Sequence, residues 1–126
     1  MNTTDLMVGD WVNVNGLNLK VGAIHADEIG VFDPDFKIYW CSDDGLDRID
    51  PIPLTEDILV KNGFKSTQGL DFYWFDDKKH CCMKNYDGKR LFCYKQGIND
   101  VWLVVKYVHQ LQHLLRLCNV QKEIEL

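Results

Sequence analysis

The stretch Val101–Leu126, VWLVVKYVHQLQHLLRLCNVQKEIEL, decides the fold. Val101–Val105 is apolar on both faces, which predicts a central strand of a sheet. From Tyr107 the period becomes helical: Val108, Leu111, Leu115 and Cys118 fall on one stripe with Leu114 beside it, predicting a helix over 107–118. Asn119 is placed to cap its C-terminus, and Lys122–Leu126 is expected to return as a short edge strand. A strand feeding an amphipathic helix must pack back onto a sheet, so the class is α+β.

Working back from there, residues 71–105 read as a β-meander. Phe72–Phe75 is an aromatic strand, 76–79 a polar reversal, and His80–Tyr86 a second strand. Asp87-Gly88 is a strong two-residue hairpin signal leading into Arg90–Lys95. In residues 51–64, PIPLTEDILVKNGF, Thr55 is a natural N-cap, and Glu56 and Asp57 suit the positive start of a helix. Lys61 lies in its last turn and Gly63 can take the left-handed conformation that closes it. Ile58, Leu59 and Phe64 supply its buried side. Residues 1–50 hold shorter strands. Val12 and Val14 share a face, Asn15-Gly16 reverses the chain, and Leu19–Ile24 is the partner. Glu28–Phe32 and Phe36–Cys41 follow, separated by the Asp33-Pro34-Asp35 turn. Short strands spaced by turns predict a curled antiparallel sheet, barrel-like in this N-terminal part, with two short helices overall.

A chain of 126 residues predicts a single domain, 1–126, with room for one core. No apolar run approaches the ~20 residues that span a bilayer, so no membrane partner is expected. Met1–Asp5 has neither the basic nor the apolar region of a signal peptide. The five cysteines are odd in number, and Cys81 and Cys82 are adjacent. That pattern suits reduced thiols in a cytoplasm better than an exported disulfide framework. The net charge of −5 argues against generic DNA binding, but it conceals an asymmetry. Residues 1–57 carry twelve acids against Lys20, Lys37 and Arg48, a net of −9, whereas residues 58–126 carry eleven bases against seven acids. The molecule is expected to have one anion-attracting face.

Motifs of catalysis are missing. There is no phosphate loop, nucleophile elbow or dinucleotide fingerprint, so neither an enzyme nor a cofactor is expected. His109 and His113 are one helical turn apart, but no glutamate follows His109 and no third ligand is evident. With Gln112 and Arg116 they read as a solvated face. His80, Cys81, Cys82 and Cys93 are a loose set, because neighbours on a strand point to opposite faces. No metal is therefore expected. The acids Asp33, Asp35, Asp43, Asp44, Asp47 and Asp50 lack the alternation of a calcium loop and suit turns instead.

One feature rises above this background. Tyr73, Trp74 and Tyr94 lie in the same hairpins as Lys78, Lys79, Lys84, Lys89 and Arg90, and aromatic faces with nearby cations can stack a base and neutralise its phosphate. The plainer reading is that the aromatics alternate into the core while the lysines solvate the outer face. The ligand reading requires the two sets to share a face. Because a lone hairpin offers a shallow surface, capture of a small ligand also implies a homo-oligomer with sites near the subunit boundary.

Three segments carry a resemblance: Val8–Val12 (VGDWV), Pro51–Phe64, and Lys106–Gln112 (KYVHQLQ). In that order they resemble a group of small proteins encoded by phages, prophages and mobile elements of gut anaerobes, whose activity is unknown. Relatives often carry a longer aromatic stretch after the Gln-Leu-Gln and a Thr-Gly at the helix end, where this chain has His113–Cys118 and Asn119. The resemblance implies a setting, the cytoplasm of a bacterial host. A phage protein of this size and charge is expected to act by binding rather than catalysis, and the basic aromatic hairpin suits an anti-defence sponge that sequesters a nucleotide-derived immune signal. The alternatives are an inhibitor that blocks a host protein through the acidic half, and a phage housekeeping protein.

Overall fold

A computed structural model describes residues 5–26, 28–42, 45–66, 72–74, 81–94 and 102–126. The chain divides into two compact units, Met1–Ile52 and Pro53–Leu126. The boundary falls close to the change in charge: residues 1–52 carry a net −7 and residues 53–126 a net +2. Mostly antiparallel sheet with two helices, the fold is α+β.

The first unit is a five-stranded antiparallel sheet of β1 (Trp11–Val14), β2 (Leu17–His25), β3 (Glu28–Phe32), β4 (Ile38–Ser42) and β5 (Ile49–Asp50), ordered β4-β3-β2-β1-β5. Its two ends, β4 and β5, do not pair with each other, so the sheet is not closed into a barrel. The first reversal forms at Asn15-Gly16, with φ of +52° and +90° as a two-residue hairpin turn needs. Asn15 then fixes the distant β5 beside β1. Its main-chain N–H donates to the Arg48 carbonyl, its side-chain oxygen accepts from the Arg48 N–H at 2.8 Å, and its amide nitrogen donates to Asp47 at 2.9 Å. Between β3 and β4, the Asp33 carboxylate accepts from the N–H groups of Asp35 and Lys37. Val12 and Val14 face inward as expected and join Leu6, Val21, Ile29, Val31, Cys41 and Ile49 in the core.

The second unit holds α1 (Glu56–Lys61), β6 (Lys65–Ser66), β7 (Phe72–Trp74), β8 (Cys81–Tyr86), β9 (Lys89–Tyr94), β10 (Leu103–Val104) and α2 (Val108–Leu117). The strands form an antiparallel sheet ordered β10-β9-β8-β7-β6. Asp87 and Gly88 turn β8 into β9 with φ of +52° and +71°. Thr55 caps α1 by accepting from the Ile58 N–H, and Gly63 closes it at φ +91°. Both helices end alike. Phe64 N–H donates to the Leu59 carbonyl and Val120 N–H to that of Leu115, with Gly63 and Asn119 in the left-handed position between. At the start of α2, the Gln110 side-chain oxygen accepts from the N–H groups of Lys106 and Tyr107.

Three expectations are corrected here. Val104 and Leu103 belong to an edge strand rather than a central one and are about half exposed (48% and 46%). The tail Lys122–Leu126 forms no strand; instead the Asn62 side chain grips it, donating to the Glu125 carbonyl and accepting from the Glu125 N–H. Leu111 and Leu115 are buried as expected, but so are His109 and Gln112, so that side of α2 is not a solvated face.

Candidate functional site

The sheet of the second unit sorts the expected ligand residues by register. β8 and β9 pair Tyr86 with Lys89, Asn85 with Arg90, Lys84 with Leu91, Met83 with Phe92, Cys82 with Cys93 and Cys81 with Tyr94. Because side chains alternate, Lys84 and Lys89 lie on one face and Arg90 and Tyr94 on the other. Tyr73, opposite Met83, shares the second face and is buried, so its ring cannot stack on a ligand. Trp74 stands opposite Cys82 in the ladder. Lys78 and Lys79 lie outside the described residues, as does the 76–79 reversal. Lys84 is committed elsewhere, its ammonium 4.2 Å from the Trp102 ring centroid and 5.8 Å from that of Tyr86. The register therefore splits the described members of the set between two faces, with Lys84 and Lys89 apart from Arg90, Tyr94 and the buried Tyr73.

Two of the expected residues do converge, with a third base that the sequence reading passed over. Lys89, Arg90 and Lys106 line a cleft of about 370 Å³ together with Leu54, Asn85, Gly88, Val104 and Val105. Three pieces of chain build it. The β8–β9 turn presents Gly88 and Lys89 at its rim. The Val105 N–H donates to the Arg90 carbonyl at 2.8 Å, extending the β9–β10 ladder by one rung. The Leu54 N–H donates to the Lys106 carbonyl at 2.9 Å, and Pro53 bridges Tyr107, bringing the segment before α1 alongside the segment before α2.

Arg90 ties these pieces together. One guanidinium nitrogen donates to the Leu54 carbonyl at 2.7 Å, and Nε donates to the Asn85 side-chain oxygen at 3.2 Å. A guanidinium carries five N–H groups, so these bonds orient it and leave donors over for a guest. Lys89 and Lys106 are exposed, and neither ammonium has a carboxylate partner among the described residues. Among the described residues no acidic side chain lines the cleft, while Leu54, Val104 and Val105 give it an aliphatic wall. Chemically, it can hold a small anion against an apolar surface. Its described lining residues include no histidine and no carboxylate.

The sequence missed Lys106 because its only local signal was a base between an apolar strand and a helix start. Leu54 and Asn85 carried no signal at all, since they enter through main-chain and orienting roles.

The other sequence motifs take structural positions. Tyr107, His109 and His113 form an aromatic tier on α2. The first two rings stack at 5.9 Å, and the imidazoles meet edge to face at 5.7 Å. Cys82 and Cys93 face each other across the ladder as buried cysteines, and His80 lies outside the described residues. Among the described residues no three histidine, cysteine or acidic side chains are grouped to hold a metal ion. No described helix is long and apolar enough to cross a membrane. Comparison with protein-family models, with curated proteins and with solved structures finds no match to this chain.

Proposed function

We propose that this is a non-enzymatic binding protein whose basic cleft takes a small nucleotide-like anion. The observation that carries the reading is that Lys89, Arg90 and Lys106 line one cleft of ligand size, with no acid among its described lining residues, in a molecule that is acidic as a whole. Three cations suit the charge of a phosphorylated ligand, and the guanidinium edge of Arg90 suits phosphate oxygens. The aliphatic wall, in place of the expected stacking tyrosines, suits the sugar or an edge of the base. In the phage setting implied by the resemblance, such a protein would act as a sponge that withdraws a nucleotide-derived immune signal in the host cytoplasm. Lys89 and Val104 of its lining are exposed, and a second copy closing over the cleft belongs to the same reading.

A thermal-shift screen against cyclic dinucleotides and ADP-ribose derivatives tests this, followed by chromatography of the recovered ligand. The expected result is stabilisation, return of the ligand intact, and loss of binding in the Lys89→Glu/Lys106→Glu variant, which spares the architectural Arg90. A product of altered mass would make the protein an enzyme. No shift with any nucleotide would refute the reading.

A further inference from the structure

Among the described residues the sheet edges are not alike. As described, β5, β6 and β10 are two residues long, a short template for another strand. β4 is five residues long, terminates its sheet, and reads IYWCS, without a charge or a proline. Proteins usually blunt an edge with lysine, proline or a bulge, and here none interrupts the strand.

The register shows what this edge offers. The Asp33 N–H donates to the Lys37 carbonyl, which makes that pair a hydrogen-bonded one. By alternation Tyr39 and Cys41 also bond to β3, while the N–H and C=O groups of Ile38 and Trp40 point away from it. The side chains of the same two residues form an exposed apolar strip with Phe32, at 40%, 46% and 39% exposure. Glycines make room for the strip. A Cβ on Gly30 would stand 2.8 Å from Ile38 and 3.4 Å from Trp40, and one on Gly22 would stand 2.6 Å from the Phe32 ring. These side chains thus lie flat over bare backbone, leaving a smooth surface beside an open hydrogen-bonding edge. At the turn leading into β4, Phe36 adds a ring that is 85% exposed.

The surrounding charge selects the occupant. The unit carries a net −7, with Glu28 opposite Ser42 at one end of the edge and Asp33 and Asp35 outnumbering the single base Lys37 at the other. A second copy of the same edge would bring these acids together, whereas a basic chain would neutralise them. We infer that β4 is a docking edge for an extended basic segment of a partner protein, which adds as a sixth strand and lays alternate apolar side chains on Ile38 and Trp40. This edge belongs to the first unit, and the inference does not rest on the basic cleft of the second.

The test uses the full chain and a blocked heptapeptide alternating lysine with valine, read by NMR and amide hydrogen exchange. The expected result is that the Ile38 and Trp40 amides shift and gain protection, and that binding weakens as salt rises. Ile38→Pro removes one outward N–H from an edge position that tolerates proline, so binding should fall about three- to tenfold, as one lost hydrogen bond implies. Should that variant fail to fold, an N-methylated form of the peptide, keeping charge and side chains but lacking donors, should lose binding to the unaltered protein. The inference is overturned if the peptide does not bind at low ionic strength or perturbs amides away from β4. It is equally overturned if a glutamate-valine twin or the N-methylated form binds as well. Protection of Ile38 and Trp40 that grows with protein concentration and no peptide would assign the edge to a second copy instead.

Discussion

Asn62 makes three hydrogen bonds from a side chain that is 2% exposed, and its removal should be felt well beyond α1. Its amide donates to the Ile58 carbonyl at 2.8 Å and to the Glu125 carbonyl at 2.7 Å, and its oxygen accepts from the Glu125 N–H at 2.6 Å. In Asn62→Ala all three are lost, at about 0.5–1.5 kcal/mol each. Glu125 is exposed, so its main chain regains water, which brings the expected cost to about 1–3 kcal/mol. Complete release of the tail would also uncover Ile124, now 1% exposed, adding ~1.5–3 kcal/mol. Asn62→Asp should be worse than alanine near neutral pH, because it points a carboxylate at the Ile58 and Glu125 carbonyl oxygens. That environment raises the carboxyl pKa in the folded state, so the penalty should shrink as pH falls and the group protonates. Urea unfolding gives the free energies, and amide exchange at Ile124 and Glu125 reports the tail. An alanine variant within about 0.5 kcal/mol of the parent, with Glu125 exchange unchanged, would refute the clamp.

Leu111→Ala should cost ~2–5 kcal/mol in a denaturant melt, because the side chain is fully buried. Gly30→Ala should cost about 1–3 kcal/mol by forcing its new methyl into Ile38, while Gly22→Ala should cost less, since the half-exposed Phe32 ring can swing outward. The Tyr39 hydroxyl donates to Asp47 at 2.8 Å, and that hydrogen bond, with the charge of Asp47, raises its pKa above the usual phenol value. The contribution of this contact is fully present below the ordinary phenol pKa and is lost as pH rises through the raised one. Alkaline titration of the Tyr39 ring by NMR should show late ionisation that Asp47→Asn removes. Chelator should leave the melting temperature unchanged, and stoichiometric zinc in tag-free protein would contradict that.

Where a local pattern had one physical solution, the sequence was readable. Asn15-Gly16 and Asp87-Gly88 are hairpin turns, Thr55 and Gly63 bracket α1, and the α2 stripe buries Leu111 and Leu115. The failures come from patterns with more than one solution. An apolar run such as 101–105 fits a buried strand and also an exposed edge, and only the pairing partners decide. The buried arc of α2 includes Gln112 and also His109, whose ring meets those of Tyr107 and His113, an arrangement that periodicity does not reveal. Strands of two residues, β5 and β6, carry no pattern at all. Within the site, Lys89 and Arg90 were legible as bases at a turn. Tyr73 was misplaced because its parity on β7, not its chemistry, sets its exposure.

The way Leu54 meets Lys106 bears on when the cleft comes into being. Most pairings in this chain join strands that are neighbours in sequence, and hairpins form within ~1–10 μs. The bond between Leu54 and Lys106 instead closes a loop that contains α1 and five strands of the second unit. Long closures cost more chain entropy and gain only from contacts already in place. The β8–β9 hairpin should therefore present Lys89 early in folding, while the third cation and the aliphatic wall arrive only with this last closure. Anion affinity would then be a property of the finished chain alone, and a partly folded or nascent molecule would pass through the cell without engaging the ligand.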